Sequence, residues 1–156
     1  MSTVSEVESS DAGAGAVLAR LSELVFLETL RRYLRELPPG QTGWLAGARD
    51  PLVGQTLALL HQHPGQPWTI AELARRVGTS RTVLADRFRF YLGEPPIAYL
   101  TRWRLNLAAE MLASTQLGIG EIAGKAGYTA EAAFNRAFKR AFGCPPAQFR
   151  QGKAIE

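Results

Sequence analysis

The sequence predicts an all-α fold: two helix-turn-helix subdomains joined by a long linker helix, preceded by an N-terminal amphipathic helix. Three observations predict it. Residues 119–143 read as a short apolar-periodic run (Ile119, Ile122, Ala123, Ala126), a break at Gly127, and a second run with Phe134, Ala137, Phe138 and Phe142 on one face. Residues 68–93 repeat that pattern. Glu72-Leu73-Ala74 answers Glu121-Ile122-Ala123, Gly78 answers Gly127, Arg87-Phe88-Arg89 answers Ala137-Phe138-Lys139, and Gly93-Glu94-Pro95-Pro96 answers Gly143-Cys144-Pro145-Pro146. Between the copies, residues 96–114 keep a helical period without a break. The spacing is 49 up to the turn (72 to 121, 78 to 127) and 50 beyond it (88 to 138, 93 to 143), so the second copy gains one residue at the head of its second helix. Two copies are too few for a helical solenoid.

The first fifteen residues, rich in Ser, Glu, Gly and Ala, are expected to be a disordered tail. They show no basic region ahead of an apolar stretch, so no signal peptide is expected. In residues 16–37, Leu21, Leu24, Leu27, Leu30, Leu34 and Leu37 recur at three- and four-residue steps, with Arg20, Glu23, Arg31 and Arg35 off that stripe. Val25 and Phe26 widen it. Such a stripe suits packing on the rest of the domain, self-association, or docking on a further domain. Pro38-Pro39-Gly40 ends the helix. Asp50-Pro51 starts the next one, with a capping carboxylate and proline at the first helical position. Its buried face is Leu52, Val53, Thr56, Leu57, Leu59 and Leu60, and it stops near His63-Pro64-Gly65. His61 and His63, two apart, cannot share a helix face, so no metal is expected there.

In the first copy, Thr69 is placed to cap the helix carrying Ile70, Leu73, Ala74 and Val77, with Arg75 and Arg76 outward. Gly78 makes the turn, since glycine enters the left-handed region without a Cβ clash. Ser80 caps the second helix. Val83, Leu84, Phe88 and Tyr91 or Leu92 are expected inside; Arg81, Thr82, Ala85, Asp86 and Arg89 face away. The linker places Leu100, Trp103, Leu107 and Met111 inward over about 25 Å of helix. In the second copy Thr129 is expected to accept a backbone N–H at the helix start. Glu131, Asn135, Lys139 and Arg140 face outward, with Arg136 beside them.

Charge is divided along the chain. Residues 1–64 carry five Arg against seven Asp/Glu, net −2; residues 65–156 carry thirteen Lys/Arg against seven, net +6. The basic excess therefore belongs to the repeated part. That is the footprint expected for a polyanion, weighed against a merely solvated basic face. The one cysteine, Cys144, excludes an internal disulfide, fits a reducing cytoplasm, and reads as a small packed residue. No run of about 18 or more apolar residues exists, so no membrane is expected as a partner. No nucleophile–base set, metal-ligand cluster, glycine-rich phosphate loop or carboxylate pair appears, so neither an enzyme nor a cofactor is expected.

TIAELARRVGTSRTVLADRFRFYLGEPPIAYLTRWRLNLAAEMLAS and IGEIAGKAGYTAEAAFNRAFKRAFGCPPAQFR resemble the DNA-binding domain of the AraC/XylS family of bacterial transcription regulators, over residues from about 50 to 150. The resemblance implies a DNA-binding domain at 50–151 with helix-turn-helix units at 68–93 and 119–143 and a linker helix at 96–114. Each second helix would enter a major groove, the two about one DNA turn, about 34 Å, apart. It implies a sequence-specific DNA-binding transcription regulator, an activator, in the cytoplasm, with double-stranded DNA as partner and RNA polymerase as a further one. Residues 19–54, ARLSELVFLETLRRYLRELPPGQTGWLAGARDPLVG, resemble the tail of a cupin-like sensor domain. Residues 16–49 are then a remnant of a sensor or dimerisation region, with a homodimer through residues 16–37, and the sensor's barrel is absent. An interaction module working through the N-terminal helix, with little specific DNA binding, is the alternative.

By match to the family's exposed positions, the DNA-binding candidates are Ser80, Arg81, Thr82, Ala85, Asp86 and Arg89 in the first unit and Arg102 on the linker. In the second they are Glu131, Ala132, Ala133, Asn135, Arg136, Lys139 and Arg140. Phosphate contacts supply affinity and base edges supply preference. Arg136 is the expected bidentate reader of guanine, and Asn135 stands near adenine or phosphate. Thr82, Ala85, Ala132 and Ala133 suit thymine methyls. Asp86 would repel phosphate unless it accepts from cytosine N4 or is neutralised by Arg89 at i+3, and the ion pair is preferred. Arg104 is read either as a phosphate contact or as a buried ion-pair partner.

Overall fold

The computed structural model describes residues 4–36, 38 and 40–152. Among these all regular structure is helical: α1 (Val4–Glu36), α2 (Trp44–Arg49), α3 (Pro51–Gln62), α4 (Ile70–Arg76), α5 (Arg81–Leu92), α6 (Pro96–Ser114), α7 (Ile119–Lys125), α8 (Glu131–Phe142) and α9 (Pro146–Arg150). The chain forms two units, one up to Gln41 and one from Thr42.

The first unit is α1. It begins at Val4, so residues 4–15, expected to be disordered, are helical; residues 1–3 of that stretch lie outside the described residues. The expectation rested on the lack of apolar surface. Extending an existing helix by one residue needs no core, because the costly step is nucleation. Leu18, Leu21, Leu24, Val25, Phe26 and Leu27 are all exposed. Leu37 and the side chain of Leu34 lie outside the described residues.

The second unit begins at Thr42 rather than at residue 50. The stretch taken for linker contains α2, which packs on α3 and α5. The Gly43 N–H donates to the Tyr91 carbonyl at 2.6 Å. Gly47 is buried where a Cβ would come within 3.1 Å of the Tyr91 Cβ, and a Cβ on Gly54 would run into the Ala48 carbonyl. Small residues thus let α2 cross close to both neighbours. This helix was hidden because its buried residue is Gly47, which leaves no apolar stripe.

Two cores fill this unit. Val53, Leu57 and Leu60 of α3, Leu73 and Ala74 of α4, Leu84 and Phe88 of α5, and Trp68 pack with Tyr99 and Leu100 of α6. Ile122 and Ala123 of α7 and Phe134, Ala137 and Phe138 of α8 pack with Leu105, Ala108 and Leu112 of α6. The linker helix therefore serves one core with its first half and the other with its second. Trp103 belongs to the first and Leu105 to the second. Leu107, expected inward, is only half-buried, because the buried arc rotates as α6 passes between cores.

The repeat holds at the level of single hydrogen bonds. Gly78 N–H to Arg75 O and Thr79 N–H to Ala74 O recur as Gly127 N–H to Gly124 O and Tyr128 N–H to Ala123 O, a spacing of 49. Leu84 N–H to Ser80 O and Gly93 N–H to Arg89 O recur as Phe134 N–H to Ala130 O and Gly143 N–H to Lys139 O, a spacing of 50. Gly78 and Gly127 take φ +73° and +79°, as their turns require.

Candidate nucleic-acid interface

Asp50, Thr69 and Ser80 cap as expected. Asp50 accepts from the N–H of Leu52 and Val53, Thr69 from Glu72, and Ser80 from Val83 at 3.2 Å. Thr129 does not. The extra residue puts Ala130 at the N-cap of α8, and α8 starts with no side-chain cap. Val83 is a second correction. It was expected inside but is 45% exposed, while Leu84 and Phe88 fill the core. The arc of α5 that meets its neighbours is narrower than the sequence stripe, and Val83 and Phe90 fall outside it.

Arg81, Thr82, Ala85, Asp86 and Arg89 line one shallow concavity of about 430 Å³ with Ile70 of α4. The Asp86 and Arg89 side chains approach to 3.7 Å, the ion pair preferred from sequence. Arg87, on the other flank of α5, is bound by Asp50. On α8, Ala132, Arg136, Lys139 and Arg140 form the exposed face opposite buried Phe134, Ala137 and Phe138. Among the described residues no carboxylate lies within ion-pair distance of Arg136, Lys139 or Arg140. The two outer helices thus differ: carboxylates meet Arg87 and Arg89, two of the three arginines of α5, while Arg136, Lys139 and Arg140 of α8 are open.

Four other candidates lie differently. The Glu131 carboxylate turns back over Gly120 of α7, where a Cβ would meet its Oε2 at 2.7 Å. Ala133 is half-buried, and Asn135 keeps its Oδ1 enclosed without a hydrogen-bond partner among the described residues. Arg102 is held by Glu94 at 2.6 and 3.0 Å and lies over the Tyr99 ring, yet its side chain stays more than half exposed.

Among the described residues Arg104 makes no ion pair. Its Nε and Nη2 donate to the carbonyls of Pro64 and Gln66, each at 2.6 Å. Burial lowers its pKa, opposed by Tyr128. Carbonyl acceptors leave no mark in a sequence, since every residue has one. Also missed was the cluster around Tyr99, whose hydroxyl lies 3.3 Å from Trp44 Nε1 and 2.7 Å from His61 Nε2. Trp103 packs on the His61 ring at 4.4 Å. Burial lowers the His61 pKa and raises that of Tyr99.

Several known proteins share this arrangement. A family model described as a helix-turn-helix domain matches residues 73–152. The chain is 40% identical over 135 residues to a putative AraC-like transcription regulator of Streptomyces lividans, covering 86% of this chain and 44% of that protein. It is 36% identical over 146 residues to the HTH-type transcriptional regulator AlkR of Acinetobacter baylyi, covering 94% and 47%. The chain spans about half the length of the curated relatives it matches. The C-terminal domain of AraT, a response regulator from Geobacillus stearothermophilus, superposes with a TM-score of 0.64 at 34% identity, covering 69% of this chain and 89% of that one. The DNA-binding domain of AdpA, solved in complex with a target DNA, does so with 0.62 at 29% identity, covering 66% and 92%.

Proposed function

The chain belongs to the AraC/XylS family of helix-turn-helix transcription regulators, and on that footing we propose that it is a sequence-specific DNA-binding regulator using α5 and α8 as twin reading helices. The observation that carries this is the open cationic face of α8, matched in position by the concave face of α5. A long helix seated in both cores holds the two. The solved complex of the AdpA domain with DNA supports the reading. Arg136 is assigned to guanine edges, Lys139 and Arg140 to phosphates, and Thr82, Ala85 and Ala132 to thymine methyls. Arg81 and Arg89 serve the phosphates or base edges at the first groove, and Arg102 approaches phosphate from the linker. Selection of bound fragments from a random duplex pool tests the proposal. Recovered duplexes should outcompete bulk DNA and lose affinity steeply with salt. Recovery of no preferred sequence would overturn it.

A second reading concerns α1. Its exposed Leu18, Leu21, Leu24, Val25, Phe26 and Leu27 suit a second copy of the chain, pairing through residues 16–37. Sedimentation equilibrium of the chain with and without residues 1–40 tests this, and an unchanged monomer in both refutes it. Work as an activator adds RNA polymerase as a partner, and DNA reading places the protein in the cytoplasm. Among the described residues no helix is long and apolar enough to cross a membrane.

A further inference from the structure

Two compact cores strung on one helix are free to pivot unless something else joins them. The point where α6 leaves one core for the other lies between Trp103 and Leu105. The residue at that point is Arg104.

Its guanidinium reaches both sides. Toward the first core it bonds the carbonyls of Pro64 and Gln66. Their loop is itself stiff, tied by Gln66 N–H to His63 O, Trp68 N–H to Gln66 O, and Trp68 Nε1–H to His63 O. Toward the second core the same group fills the turn between α7 and α8. A Cβ on Gly127 would stand 2.9 Å from its Cζ and 3.0 Å from Nη2. Gly65 of the loop rests against the end of α7, where a Cβ would come to 3.5 Å from the Lys125 carbonyl. The matching turn at Gly78 has the same left-handed backbone but open space around it.

We propose that Arg104 is the positioning residue that sets the angle between the two reading helices, and that Gly127 is glycine partly to admit it. The planar fork satisfies two carbonyls at fixed directions while stacking flat in the turn, which a lysine ammonium does not reproduce. The inference deepens the twin-helix reading proposed above. Its physical core concerns this chain alone and is measured without DNA.

Spin labels at Thr82→Cys on α5 and Ala132→Cys on α8 report the distance between the helices; Cys144 is buried and stays unlabelled. Arg104→Gln should broaden the distance distribution about twofold, as a single well gives way to several orientations. Gly127→Ala should do the same. Gly78→Ala is the control, carrying a comparable backbone strain with no arginine to displace, and it should leave the width unchanged. Equal widths in wild type, Arg104→Gln and Gly127→Ala, with circular dichroism showing folded proteins, would overturn the proposal. Should Arg104→Gln fail to fold, Arg104→Lys and the paired glycine variants decide it by the same width. On a selected duplex, Arg104→Gln should also tolerate inserted base pairs between the half-elements that wild type rejects. A narrow wild-type distance with no preferred duplex would refute DNA reading and leave the clamp standing.

Discussion

Asp50 ties the start of α3 to the flank of the first reading helix: one carboxylate oxygen caps the N–H groups of Leu52 and Val53, and the other accepts from Arg87. The carboxylate is almost fully buried while the arginine is half exposed. Asp50→Ala removes a cap and leaves Arg87 without its partner. It should lower stability by about 2 kcal/mol, at the upper end for a lost cap. Asp50→Asn keeps a capping oxygen and should lose less. Urea unfolding of the two variants checks the order.

The cations of α8 should dominate the salt dependence of DNA binding. Lys139→Ala and Arg140→Ala should each reduce the log–log salt slope by about 1 if each replaces one counterion, whereas Arg136→Ala should chiefly relax the preference at its guanine. Arg89→Ala should change it less, because Asp86 already compensates that charge. Anisotropy titrations at several salt concentrations measure the slope. A larger change at Arg89 than at Lys139 would contradict the division of labour.

Phe138 and Phe90 occupy the same kind of helix with opposite surroundings. Phe138 is fully buried among Phe134, Phe142 and Phe149, whereas Phe90 is 53% exposed. Phe138→Ala should cost about 3–5 kcal/mol through lost burial and a cavity. Phe90→Ala should stay within about 0.5 kcal/mol. Thermal melts of both variants test the pair.

His61 gives a pH dependence with a definite sign. Burial lowers its pKa below the ordinary 6.5, so the unfolded chain binds the proton more readily than the folded one. The stability is fully present above about 6.5 and falls as pH drops through the folded value. A lower Tm at pH 5 than at pH 7.5, with a smaller difference in His61→Gln, is expected from differential melts.

The turns, three of the four side-chain caps assigned, and the register of the repeat were legible because each is local: a glycine, a hydroxyl or a carboxylate at a set offset. The fourth, Thr129, failed at the place where the register changes, since the spacing of 50 puts Ala130 opposite Ser80. Val83 misled because periodicity shows which residues share a face but not how wide an arc the neighbours cover. Arg104 and α2 were obscured for a further reason. Their contacts run to backbone carbonyls and through glycines, and those partners look alike at every position. The cationic face of α8 was legible; that carboxylates meet Arg87 and Arg89 of α5 required coordinates for Asp50, though not for Asp86.

Because α6 lends half its length to each lobe, neither lobe has a complete interior of its own. Melting one would strip the cover from Tyr99 and Leu100, or from Leu105, Ala108 and Leu112, and weaken the survivor's footing. The pair should therefore be lost together in a single transition, leaving no long-lived species that grips a lone groove with one probe.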